Sequence, residues 1–136
     1  MGHHISTVFN HGMSFTSTIN NHKVAMDSHD DGGHDTGPSP KRLMLASLAG
    51  CTGMDVVSIL QKMKVAFSDF SIDIDATLTD EHPKIYNDVR LSYKIKLAEK
   101  DRTKMEKAVN LSQEKYCGVS AMFRAFSKLE TEIIYL

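Results

Sequence analysis

Apolar and polar residues alternate one by one along two stretches of the chain. Phe70, Ile72, Ile74, Ala76 and Leu78 are separated by Ser71, Asp73, Asp75 and Thr77, and Val89, Leu91, Tyr93, Ile95 and Leu97 alternate in the same way. A period of two puts the apolar side chains of a strand on one face and leaves the other face wet. Residues 67–80 and 85–98 are therefore expected to be partner strands, with Glu81-His82-Pro83-Lys84 turning the chain. The N-terminal third reads as a three-stranded meander over 4–10, 13–19 and 22–27. Its turns are marked by His11-Gly12 and Asn20-Asn21. Residues 28–38 form a polar, Gly-rich loop.

Between Leu43 and Leu60 the period changes, and apolar residues fall on nearly every face of a helix. Ser39 is suited to cap its free N–H groups and Pro40 to its first turn. The helix is expected to run to about Lys64 and to be buried on all sides. Gly50 and Gly53 cost roughly 1 kcal/mol each relative to Ala in such a helix, which points to another backbone passing close by. A second helix is expected from about Asp101 to Lys115, with a stripe of Met105, Ala108, Val109 and Leu111-Ser112. A short helix over 120–126 and a strand over 128–136 complete the chain. The order βββ-α-ββ-α-α-β does not alternate strands and helices singly. The expected class is α+β with mostly antiparallel pairing, as one domain over residues 1–136. One small sheet cannot cover a helix that is apolar all round, so wrapping by a second copy in a homodimer is expected.

Composition narrows the function. The 136 residues include 16 Lys and Arg against 17 Asp and Glu, for a net charge of −1. A basic footprint for nucleic acid is absent, and no basic run suggests a membrane surface. No apolar run is expected to approach the ~20 residues that span a bilayer. Met1-Gly2-His3-His4-Ile5 lacks the pattern of a signal peptide, so a cytoplasmic location is expected, where thiols are usually reduced.

Two cysteines then stand out. Cys51 lies in the middle of the long helix, with Ser47, Met54, Asp55 and Ser58 on its face. Cys117 lies between the last two helices, where Ser120 is placed to cap the helix that follows. Backbone N–H groups at a helix start stabilise a thiolate. Free cysteines are also often no more than small buried residues. Asp55 is read as a structural residue bonded to a neighbour, since its charge would oppose a thiolate at Cys51. His29, Asp30, Asp31, His34 and Asp35 are read as a solvated loop. No metal, no cofactor and no phosphate-binding loop is expected.

Asp35-Thr36-Gly37-Pro38-Ser39-Pro40, followed by Leu43 to Leu60 with Ala49-Gly50-Cys51-Thr52-Gly53 at its centre, resembles the signature of the OsmC-like branch of the OsmC/Ohr family. Lys115-Tyr116-Cys117-Gly118-Val119-Ser120 resembles that family's second-cysteine motif, which more often has proline where Gly118 stands. The order of elements is similar over nearly the whole chain. The resemblance implies the OsmC-like fold, an intertwined homodimer with buried central helices, and a thiol peroxidase acting on organic hydroperoxides. It implies that Cys51 attacks the peroxide, Cys117 resolves the sulfenic acid as a disulfide, and a dithiol reductant reopens it.

Two departures accompany the resemblance. Peroxidase members place a glutamate nine or ten residues before the first cysteine, where this chain has Arg42 and Lys41. They also bring an arginine from the N-terminal strands, and the first arginine here is Arg42. Nine residues of helix span ~13 Å, so Arg42 is expected to act across the dimer interface if it acts on Cys51. Lys41 and Arg124 are the other candidates for stabilising the thiolate. The alternative expectation is a weakly catalytic or non-catalytic protein that binds a small apolar ligand.

Overall fold

The computed structural model describes residues 1–136. The chain divides into two compact units, Met1–Ala46 and Ser47–Leu136. The first unit is the expected meander. Strands β1 (Ser6–His11), β2 (Ser14–Ile19) and β3 (His22–Met26) pair antiparallel in that order. The turns fall where the small and amide residues permit a left-handed backbone, with φ of 57° at Gly12 and 55° at Asn20. The sheet carries hydroxyls on both faces: Thr7 and Ser17 share a hydrogen bond of 2.8 Å on one, and the Asn10 amide donates to Thr16 and Ser14 on the other.

The loop after β3 is tied down by one carboxylate. Asp27 accepts from the Thr36 hydroxyl at 2.6 Å and from the backbone N–H groups of Ser28, Thr36 and His34. These donors, led by the Thr36 hydroxyl, lower its pKa to about 2. Asp27 was not singled out by the sequence pattern, because its role depends on donors up to nine residues away. His29 Nε2 and an Asp30 carboxylate oxygen lie 3.3 Å apart on side chains that are more than half exposed.

Helix α1 (Pro40–Lys62) starts with the Leu43 N–H donating to the Ser39 carbonyl. In the second unit β4 (Phe67–Leu78) pairs antiparallel with β5 (Tyr86–Leu97), and β6 (Lys128–Tyr135) lies parallel to β5 on its other side. The register sets Ile72 opposite Tyr93, Ile74 opposite Leu91 and Ala76 opposite Val89, so the two alternating patterns face the same way. Val89, Leu91, Tyr93 and Ile95 of the central strand are fully buried. The β4 partners are only half-buried, as befits the outer strand.

A parallel neighbour cannot be reached by a hairpin and needs a long crossover. A 3₁₀ turn (Glu99–Asp101), α2 (Arg102–Leu111), a π-helical turn (Ser112–Tyr116) and α3 (Gly118–Phe126) supply it. The predicted stripe of α2 is buried at Met105, Ala108, Val109 and Ser112. The second helix is shorter than its pattern suggested, because the chain widens into the π turn before Cys117.

Three features of helix α1 bear on how it is covered. Within one chain it buries a single stripe, Leu48, Thr52, Val56 and Leu60, spaced four apart. Met44 and Met54 on other faces are 46% and 76% exposed. No backbone of the same chain approaches its glycines: a Cβ at Gly50 would meet nothing within 4 Å, and one at Gly53 would meet only the Ile72 side chain. The helix is also long and apolar enough, by length and composition, to cross a membrane, contrary to the reading of the sequence. Its fully buried stripe makes it instead the core helix of the fold.

Leu91 has no exposed surface on the central strand. Leu91→Ala is expected to lower the unfolding free energy by about 2–5 kcal/mol, measured by chemical denaturation.

Candidate functional site

Cys51 and Asp55 stand four residues apart on α1 and so share one face. The crossover brings Cys117 to them. The Sγ atoms of Cys51 and Cys117 and an Asp55 carboxylate oxygen all lie within 4.8 Å of one another. Both cysteines are free thiols; Cys51 is half-buried, and Cys117 is 3% exposed.

Cys117 is itself the N-cap of α3. Its backbone is extended, and its sulfur accepts from the Ser120 N–H at 3.3 Å. The expectation that Ser120 caps this helix is therefore corrected: Ser120 supplies the capped N–H. The sulfur takes the place usually held by a hydroxyl or carboxylate oxygen. The π turn positions the cap, with the Cys117 N–H donating to the Ser112 carbonyl at 2.8 Å. Such insertions recur at functional sites because they displace a side chain from regular helical spacing.

The environment of Cys51 disfavours its thiolate. Burial is the main cause raising its pKa; the adjacent Cys117 thiol and the Asp55 charge add to the rise. The backbone N–H of Val119 bonds the sulfur and acts in the opposite direction. Asp55 accepts from the Ser112 hydroxyl at 3.1 Å, so it is bonded to a neighbour while its charge opposes ionisation of Cys51.

A buried polar network surrounds the pair. The Thr52 hydroxyl bonds to the Tyr93 hydroxyl and to the Ser112 hydroxyl, each at 2.7 Å. The Gln113 amide donates to Tyr93 at 2.9 Å, to Ser120 at 3.1 Å and to Thr52 at 3.3 Å. Burial raises the pKa of Tyr93 and keeps its hydroxyl a donor. No buried side-chain polar atom lacks a partner. Thr52, Tyr93, Ser112 and Gln113 were not picked out as site residues. Their available signal was a run of polar residues interrupting apolar stripes, at Thr52 and at Ser112-Gln113.

None of the candidate basic residues is among the groups that act on the Cys51 thiol. Arg124 donates to the backbone carbonyl of Gln113 and, at 2.8 Å, to its side-chain oxygen. It thus braces the residue that holds the network. Lys41 and Arg42 are exposed in the first turn of α1. A cavity of about 340 Å³ opens beside Asp55, with Ile59, Met63, Leu111 and Tyr116 in its wall.

The family described as "OsmC-like protein" matches residues 33–132. Protein YhfA of Escherichia coli K12 is 30% identical over 112 residues, covering 82% of this chain and 81% of its own. Among solved structures, a hypothetical protein from Aquifex aeolicus VF5 superposes with a TM-score of 0.82 at 28% identity, over 100% of this chain and 98% of its own. The organic hydroperoxide resistance protein OhrB of Bacillus subtilis has a TM-score of 0.64 at 17% identity, over 98% of each chain, a likeness of fold alone.

Because the Asp55 charge helps to hold the Cys51 pKa up, removing it is expected to lower that pKa. In a Cys117→Ser background, Asp55→Asn is expected to move the pH midpoint of Cys51 alkylation downward. An unchanged midpoint would show that the carboxylate does not act on the thiol.

Proposed function

Since the chain belongs to the OsmC-like protein family, we propose that it is a dithiol peroxidase that reduces organic hydroperoxides, with Cys51 attacking and Cys117 resolving. The family includes thiol peroxidases. The observation that carries the reading is the approach of the two sulfurs to within 4.8 Å, close enough for a small movement to join them. The Cys51 thiolate attacks one peroxide oxygen. The O–O bond breaks, the alkoxide leaves with a proton as an alcohol, and Cys51 becomes a sulfenic acid. Cys117 then attacks that sulfur, water leaves, and a disulfide forms. A dithiol reductant takes the two sulfurs back to thiols by exchange. The cytoplasm, where such reductants are maintained, is the proposed setting.

The proposed assembly is a homodimer in which the residues 1–136 act as one domain of an intertwined pair. Exposed Met44, Met54 and Phe9 support a covering partner. The thiolate needs positive charge that the contacts of Cys51 within its own chain do not supply. Arg42 or Lys41 of a second copy is the proposed source, while Arg124 acts through Gln113 as a positioning residue.

A second reading is favoured by the raised pKa of Cys51 and by the cavity walled by Ile59, Met63, Leu111 and Tyr116. In it the protein binds a small apolar ligand and turns over peroxide poorly.

A stoichiometric amount of an organic hydroperoxide is expected to consume two thiols per chain, counted with a thiol reagent, and to leave an intramolecular disulfide seen by mass spectrometry. Thiols that survive the peroxide would favour the ligand-binding reading. Light scattering is expected to give twice the chain mass. In that dimer Arg42→Met or Lys41→Met is expected to slow Cys51 alkylation at neutral pH by about tenfold, the effect of one unit of thiol pKa.

A further inference from the structure

No metal was expected from the sequence, but the fold gathers two cysteines that lie 66 residues apart in the chain. Cys51 and Cys117 each offer a sulfur and Asp55 a carboxylate oxygen, mutually within 4.8 Å. We propose that in the reduced protein these three residues bind a thiophilic divalent cation of the Zn²⁺ class. The proposal uses the thiols of the peroxidase reading but does not rest on their reacting with peroxide.

Several features fit a built site. Two ligands come from one helical face and the third from a helix cap, so rigid backbone holds all three. Each ligand is oriented by a further hydrogen bond. The Ser120 N–H meets the Cys117 sulfur, the Val119 N–H meets the Cys51 sulfur, and the Ser112 hydroxyl meets the Asp55 carboxylate. Second contacts of this kind orient metal ligands and tune their affinity. Two sulfurs select against Mg²⁺ and Ca²⁺, which take oxygen ligands, and favour Zn²⁺. A tetrahedral ion with Zn–S bonds of about 2.3 Å and a Zn–O bond of about 2.0 Å sets its sulfurs about 3.8 Å apart and each sulfur about 3.5 Å from the oxygen, so ligands lying up to 4.8 Å apart need to close by about 1.3 Å or less. Water would complete the fourth position.

The chemistry balances without electron transfer. Each thiol releases one proton to solvent, the carboxylate binds as it stands, and the dication offsets two of the three ligand charges. A Cys51–Cys117 disulfide has no thiolate to offer, so the metal-bound and disulfide states exclude each other.

The full-length protein, reduced and kept without oxygen, is titrated with Co²⁺. The expected result is a near-ultraviolet thiolate-to-cobalt charge-transfer band that saturates at one ion per chain and is lost when Zn²⁺ is added. Cys51→Ser and Cys117→Ser are each expected to lose most of the band, and Asp55→Asn to weaken Co²⁺ binding by about tenfold or more. In the unaltered protein, one equivalent of Zn²⁺ is expected to slow alkylation of both thiols by about tenfold, a readout that needs no variant to fold. No charge-transfer band, or no protection by Zn²⁺, would overturn the proposal. Oxidation of chelator-treated protein by hydroperoxide tests the peroxidase reading separately.

Discussion

The hydroxyl of Thr52 joins three parts of the second unit at one buried point. It lies on α1 beside Cys51 and reaches Tyr93 on the central strand and Ser112 at the start of the π turn. Gln113 closes the same network and passes it to Ser120 in the first turn of α3. A buried polar group left without a partner costs about 1–3 kcal/mol, so each of these side chains constrains the others to one arrangement. The position of Cys117 follows from that arrangement, since the turn that carries it is bonded on both sides. The polar network is thus the means by which a strand, a helix and a crossover present two sulfurs to each other.

The same burial that orders the site makes its thiol hard to ionise. Cys51 loses solvent and faces a second thiol and a carboxylate, and only a backbone N–H favours its charge. Positive charge brought from outside these contacts would reverse the balance, whether it is a guanidinium or a metal ion. Either reaches the sulfur electrostatically in a partly dry site, where the attraction is stronger than in water. An activating partner and a bound dication are therefore two answers to one physical demand.

The surface of α1 places a related demand on assembly. Its one buried stripe leaves methionines on other faces in water, which a helix of this composition avoids when cover is available. Gly50 has open space around it, so it leaves room for an approaching chain.

Local patterns in the sequence determined much of the architecture. The strict alternation in 70–78 and 89–97 specified two strands and their inward faces, because a period of two has one physical reading. The turn residues at Gly12 and Asn20 marked the meander, since few residues accept positive φ. Cys51 and Cys117 were legible as candidates from their motifs. Their meeting with Asp55 was decided only by tertiary structure, because a parallel β6 requires a crossover whose π turn sets the last helix. The single buried stripe of α1 was likewise hidden, as apolar residues on every face say that cover is needed without saying which chain provides it. Nor could spacing reveal that Ser112, Gln113 and Thr52 share hydrogen bonds, for those depend on distances across 60 or so residues of chain.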